Sequence, residues 1–366
     1  MANPSTLSHP NRTLSPRGVL TWRIVQFVVW LIGVSIFICL IFYPQVGLIA
    51  LWNVLIPVAP ALLVVEGGLW RNVCPLAIVN LFPRHLNLSK KKIMSVSLQA
   101  KLQLAAIIAL FIIVPLRHLI FNTNGEATAI LLFTATAVSV SMGFVYDWKS
   151  GWCNSLCPVH PVEKLYGGNT LFSMPNAHCN QCINCSVPCP DSTPNLHPSS
   201  SKKTTYNHIS GLLTIGGLPG FIWGYFQVPD QSESITYQNL FSAFEMPVLG
   251  LCITLCLYLW LKKLVSKKSE RVLINCFAAA GVSCYYWFRI PALLGFSKFS
   301  NDVVLLNLKN TIPHWSILAI TILTSVFFFW WLVFRKPNHK SWVIRPEFAK
   351  GAKHNKVQAA IQKTGM

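Results

Sequence analysis

Residues Ile24 to Tyr43 read IVQFVVWLIGVSIFICLIFY, a run with no charge and only Gln26 and Ser35 as polar breaks. A helix rises 1.5 Å per residue, so about 20 such residues cross the roughly 30 Å hydrocarbon core of a bilayer. Seven further windows pass the same length test: Val46–Val65, Leu102–Phe121, Ala127–Tyr146, Ile209–Val228, Phe241–Leu261, Val272–Leu294 and Pro313–Phe334. The second carries Pro57 and Pro60, and the fifth is rich in glycine. Both features also suit a re-entrant segment. Composition agrees with a membrane chain. Only 11% of the 366 residues are charged, against about 25% in soluble domains, which excludes an ordinary soluble enzyme. The 12% aromatic content excludes intrinsic disorder.

The charges follow the same map. Lys and Arg number 30 against 11 Asp and Glu, a net charge of +19. With the N-terminus inside and the sides alternating, 26 of the 30 basic residues fall on the inner side. Only Arg117, Arg289, Lys298 and Lys309 remain outside. This is the positive-inside bias of a chain with an even number of spans and both termini cytoplasmic. The basic residues lie in juxtamembrane loops rather than along one binding element, so nucleic acid is not an expected partner. Residues 1–18 are polar, and the apolar run after them is too long for a signal core and lacks a small-residue cleavage site, so the first span is expected to stay in the protein. The fold class is therefore an all-α polytopic membrane protein of about eight transmembrane helices. Its parts are a cytoplasmic segment 1–23, a four-helix half 24–146, a cytoplasmic cysteine-rich segment 147–208, a second four-helix half 209–334 and a basic cytoplasmic tail 335–366. The tail is suited to anionic lipid.

The chemistry sits in the cysteine-rich segment. Cys179, Cys182, Cys185 and Cys189, followed by Pro190, form C-x2-C-x2-C-x3-C-P, the bacterial ferredoxin run. Thiolates at i, i+3 and i+6 wrap one iron–sulfur cube, and the short spacers bring backbone amides to its sulfurs. The last cysteine lies past a turn, where proline directs the chain away. Zinc also uses C-x2-C half-sites, but it asks for neither a third cysteine at the same interval nor a Cys-Pro. The expected feature is a small ferredoxin-like 4Fe-4S loop on the cytoplasmic side. In two-cluster ferredoxins the fourth cysteine serves the other cluster, so Cys189 belongs either to this cube or elsewhere. Two upstream sites supply further thiols: Cys153-Asn-Ser-Leu-Cys157-Pro158, and Trp70-Arg-Asn-Val-Cys74-Pro75, where Trp70 stands in the place of a leading cysteine. One four-thiolate cube would leave three of these seven cysteines over. A second cluster would need a non-cysteine ligand, with His160 or His178 nearby.

Paired Cys-Pro sites after membrane spans, followed by a ferredoxin run, resemble the NapH/NosR-type membrane-bound ferredoxin proteins. The resemblance covers about residues 20–195 and is strongest over Gly151-Trp-Cys153-Asn-Ser-Leu-Cys157-Pro-Val-His-Pro-Val-Glu-Lys-Leu-Tyr-Gly167. It departs at the first Cys-Pro site, which lacks its leading cysteine, and in having one ferredoxin run where many relatives have two. The resemblance implies a multi-pass protein of the bacterial inner membrane. Such a protein would pass electrons between a quinone or cytoplasmic carrier and a respiratory or maturation partner, as a possible subunit of a larger membrane complex. Residues 207–366 are not part of the pattern.

Other polar residues lie within the spans, where ionisable side chains default to functional hypotheses. Arg117, His118, Glu245, Arg289 and His314 all fall toward the outer helix ends. They either shape a quinone or haem site, with His118 and His314 as axial ligands, or are snorkelling and hydrated interface groups. Glu66 is either a proton relay beside the first Cys-Pro site or a partner of Arg71. Cys39, Cys252, Cys256, Cys276 and Cys284 sit in apolar spans as small hydrophobes. Tyr43, Tyr146, Trp315, Trp330 and Trp331 suit an aromatic belt. No nucleophile–base motif or phosphate loop is present, so a stand-alone hydrolase or transferase is disfavoured. The expected function is iron–sulfur electron transfer in the membrane, and the alternative is an iron–sulfur maturation or redox-sensing factor.

Overall fold

A computed structural model of the chain describes residues 14–92, 94–146, 151–171, 174–175, 177–178, 204–231, 236–299, 303–336 and 343–344. These residues form an all-α polytopic architecture. Helix α1 spans Pro16–Phe42 and a short α2 spans Pro44–Leu48. A π-helical stretch, Ile49–Leu55, then leads into α3, Ile56–Val73. Next come α4 (Pro75–His85), α5 (Val96–Leu116) with a π-helical turn at Arg117–Phe121, and α6 (Gly125–Val145). A π-helical turn at Trp152–Leu156 precedes α7 (Val159–Tyr166). The second half holds α8 (Thr205–Leu212), a π-helical turn at Leu213–Gly217, α9 (Leu218–Tyr225), α10 (Tyr237–Leu264), α11 (Glu270–Leu293) and α12 (His314–Phe329), the last extended by Trp330–Phe334. Local chemistry sets the starts. Ser15, Ser95, Asn124, Thr204 and Thr236 each accept a hydrogen bond from the backbone N–H three residues on, which satisfies a donor the first turn leaves over.

Among the described residues, six segments are long and apolar enough to cross a membrane: Pro16–Phe42, Pro44–His85, Val96–Phe121, Gly125–Val145, Tyr237–Leu264 and His314–Phe334. The fifth and seventh expected spans are helical, over 205–225 and 270–293, but are not among these six. The difference has a physical reason. Ile215, Leu218 and Phe221 of the fifth, and Ala278, Ala279 and Val282 of the seventh, lie in the main buried cluster. In contrast, α1, α10 and α12 expose large apolar side chains such as Phe27, Ile253 and Leu323. A helix enclosed by others needs small residues and polar partners more than a continuous apolar surface. Gly220 of α9 and Gly250 of α10 show the consequence. A Cβ on either would run into the other's backbone carbonyl, so the two helices meet main chain to main chain.

Helix α3 breaks at Glu66, whose φ −150° and ψ 74° are not helical. The carbonyls freed there are taken from outside the helix. Val64 O accepts from Trp331 Nε1 at 3.0 Å, and Val65 O accepts from Leu171 N at 3.0 Å. Trp331 is therefore buried and structural rather than part of an aromatic belt, whereas Tyr43, Trp315 and Trp330 are exposed. The segment expected as a cytoplasmic loop is also partly internal. In α7, His160, Glu163, Lys164, Leu165 and Tyr166 are all buried, and Leu165 and Tyr166 join the core cluster with residues of α3, α9 and α11.

Candidate functional site

Two Cys-Pro steps build the first group of chemistry-bearing residues. Cys74 ends α3 with φ −55° and ψ 119°, its N–H donating to Trp70 O at 2.9 Å. Cys157 ends the turn Trp152–Leu156 with φ −73° and ψ 114°, its N–H donating to Trp152 O at 3.0 Å. The two steps share one cause. A following proline disfavours the α conformation for the residue before it and pre-sets the first turn of the next helix, here α4 and α7. The Cys157 thiol consequently sits at the start of α7, where it accepts hydrogen bonds from the backbone N–H groups of Val159 and His160. Cys74 lies close enough to act on it. Burial foremost, then Cys74, pushes the Cys157 thiol up to about 12; the two N–H donors oppose this and Glu163 adds to it. Cys153 is half-buried on the same turn.

A buried polar network ties the two steps together. Arg71, one turn before Cys74, pairs through Nε with Glu163 of α7 and donates from Nη2 to His160 Nδ1 at 2.9 Å. Arginine has no acceptor, so His160 carries its proton on Nε2. Asn72 holds the next segment. Its Oδ1 accepts from Ala177 N at 3.0 Å, and its Nδ2 lies 3.5 Å from Met174 Sδ. Met174–Pro175 pairs in parallel with Val343–Ile344, so the chain approaches Cys179 from the first Cys-Pro step with the C-terminal segment alongside. Cys179, Cys182, Cys185 and Cys189 lie outside the described residues.

The donor set suits a metal centre that takes thiolates. Two half-buried cysteines from distant parts of the chain lie within electrostatic reach of each other, and one of them faces helix N–H donors that favour the thiolate. Without a cation the Cys157 sulfur keeps its proton; a bound metal would be what stabilises it as a thiolate. Among the described residues no group of three or more His, Cys, Asp or Glu stands ready for a metal, so any closed ligand shell has to draw on donors beyond them. Cys252 and Cys256 are exposed on α10 and have no share in the group.

The second group lies at the opposite end of the bundle, where α5 ends. The π-helical turn Arg117–Phe121 buries Arg117 and His118. His118 Nε2 donates to the Tyr225 carbonyl at 3.0 Å, and its Nδ1 meets Asp230 Oδ1 at 2.6 Å. Asn122 Nδ2 donates to the same carboxylate oxygen at 2.8 Å. Arg289 of α11 donates from Nη2 to Trp52 O at 2.7 Å and to Asn53 Oδ1. A cavity of about 360 Å³ lies among Trp52, Asn53, Arg117, Asn122, Asp230 and Arg289. His314 and Glu245 do not line it. His314 is exposed and meets the Phe296 ring edge-on at 5.7 Å, and Glu245 is exposed on α10. Of the five expected residues, Arg117 and Arg289 line the cavity, and His118 reaches it through Asp230. His118 and His314, expected as an axial pair, stand apart: His118 is bonded through both ring nitrogens to Asp230 and the Tyr225 carbonyl, and His314 is exposed against Phe296.

Glu163, Asn72, Asp230, Trp52 and Asn53 were not singled out from the sequence. Only Asp230 carried a signal, as an acid just beyond a proposed span. Compared with family models, curated proteins and solved structures, the chain matches none.

Proposed function

We propose that the chain is a membrane-bound iron–sulfur electron-transfer protein with both termini in the cytoplasm of a bacterial cell and eight spans, counting the enclosed helices 205–225 and 270–293. One observation supports this: Cys74 and Cys157 lie within electrostatic reach at two matching Cys-Pro steps, and the C-x2-C-x2-C-x3-C-P run follows the second of them in sequence. Cys179, Cys182 and Cys185 would hold a cube, with Cys189 as fourth ligand or as donor to a second centre alongside Cys74, Cys153 and Cys157. A bound cluster supplies one-electron transfer.

The chain's own residues have separable tasks. Val159 and His160 offer N–H groups to the Cys157 sulfur. Arg71 and Glu163 fix α7 against α3 and so hold Cys157 beside Cys74. A cavity of about 690 Å³ runs along α1 and α4, between apolar side chains such as Phe27, Trp30 and Phe82 and the polar Arg23, Gln26 and His178. Its size suits an amphiphilic carrier such as a quinone, and His178 directly precedes Cys179. The motif resemblance to NapH/NosR-type proteins supports the same reading.

The test is iron counting and electron paramagnetic resonance on full-length protein purified without oxygen. About four irons per cluster and a signal on reduction are expected. Cys182→Ser should lose the signal, Cys157→Ser should lose or alter it, and Cys256→Ser should keep it. Folded protein that contains stoichiometric zinc, or no metal, overturns the proposal.

A further inference from the structure

The cavity beside α5 holds two arginines that no carboxylate among the described residues pairs with. Arg117 is 8% exposed. Its guanidinium lies 4.0 Å from the Trp52 ring centroid and 5.5 Å from that of Tyr225. Its Nε donates to Asn122 Oδ1 at 3.1 Å, and among the described residues its two Nη groups make no hydrogen bond. Arg289 spends Nη2 on Trp52 O and Asn53, while its Nε is buried without a hydrogen-bond partner. Among the described residues neither arginine makes an ion pair. The acid that lines the cavity, Asp230, is already engaged by His118 and Asn122. Two guanidinium groups thus face a space of about 360 Å³ without a paired carboxylate among the described residues.

Withdrawing a charge from water without a counter-charge is costly. The planar fork of arginine matches the oxygens of phosphate and carboxylate better than any neutral ligand. Here the fork is also pre-set: Trp52 and Tyr225 hold the Arg117 plane, and Asn122 fixes its Nε edge. Little side-chain freedom remains to be lost on binding.

We infer that this cavity is a phosphate-type oxyanion site, with Arg117 and Arg289 as the recognising groups and Trp52, Tyr225 and Asn122 as positioning residues. The ligand is a free anion or the phosphate of a lipid headgroup; the recognising chemistry is the same. The inference is independent of the iron–sulfur proposal, because none of its residues touches the Cys-Pro steps.

The experiment is calorimetric titration of full-length protein, delipidated in dodecyl maltoside, a detergent without phosphate. Inorganic phosphate is one probe. Dioctanoyl phosphatidylglycerol is the other, with dioctanoylglycerol as its phosphate-free control. Saturable binding of inorganic phosphate marks a free-anion site. Binding of the phosphatidylglycerol alone marks a headgroup site. In either case Arg117→Gln and Arg289→Gln should each weaken binding roughly tenfold to a hundredfold, the loss of a charge-assisted hydrogen bond. Arg117→Lys, which keeps the charge but not the fork, should fall between. Arg289 is the less buried of the two, so its variant tests the site even where Arg117→Gln does not fold. The inference is overturned when the wild type binds neither probe, when the control lipid binds equally well, or when the folded variants bind as the wild type does.

Discussion

Breaking the pair between Arg71 and Glu163 should loosen the junction of the two Cys-Pro steps. The two side chains are 4% and 5% exposed, so water can offset little of what is lost. Removing one partner of a buried ion pair costs about 3–5 kcal/mol, most of it the penalty of leaving the other charge alone. Glu163→Gln should sit near the lower end, about 3 kcal/mol, because Arg71 keeps its hydrogen bond to His160. Arg71→Met removes the guanidinium from the buried carboxylate and should cost about as much. The double variant leaves no charge at all. Its cost should therefore fall well below the sum of the singles, with a coupling of about 2–3 kcal/mol. The assay is reversible unfolding in mixed micelles with rising dodecyl sulfate, followed by circular dichroism. If the proposed cluster is present, iron retention gives a second readout, because Cys157 lies at the start of α7 and a displaced α7 should weaken its hold. Single variants within about 0.5 kcal/mol of wild type, or a strictly additive double variant, would refute the assignment of this pair as the clamp.

Four more outcomes are expected. In metal-free protein the raised Cys157 pKa means that the folded state holds its proton more tightly than the unfolded chain. That contribution is intact below the ordinary thiol range, near 9.0, and is lost as pH rises toward about 12. Relative to Cys157→Ala, wild type should thus lose about 1.4 kcal/mol per pH unit above that range; parallel pH profiles would contradict it. Gly250→Leu should separate α9 from α10 and cost at least 1–3 kcal/mol, roughly the penalty of overpacking, read as a lower unfolding midpoint. Trp331→Phe leaves the Val64 carbonyl without its donor at the α3 break and should cost about 1–3 kcal/mol by the same assay. A reporter fused after Met366 should read cytoplasmic; a reading from the other side would mean an odd number of spans.

Much of the architecture could be read along the chain. The charge-free run 24–43 and its counterparts mark helices because a backbone in lipid must satisfy its own hydrogen bonds. The Cys-Pro steps at 74 and 157 were visible as a pair because proline acts on its immediate neighbour. Other features depend on residues far apart in sequence. Arg71 and Glu163 are 92 positions apart, and His118 and Asp230 are 112 apart. Neither pairing has a local cause. His314 and Glu245 looked equivalent to His118 because all three fall toward helix ends; which way each faces depends on the helices around it. The enclosed helices 205–225 and 270–293 were found by pattern, yet they are less apolar than the others because they face protein rather than lipid.

Composition and spacing alone therefore settled that this is a helical membrane chain and where its thiols are concentrated, since bilayer thickness and proline stereochemistry act over a few neighbouring residues. Packing alone decided that Cys74 comes within electrostatic reach of Cys157, that α7 is drawn inside, and that two arginines share one cavity opposite. Those outcomes belong to helices brought together across the bundle, where burial removes water and makes each charge answerable to whatever stands next to it.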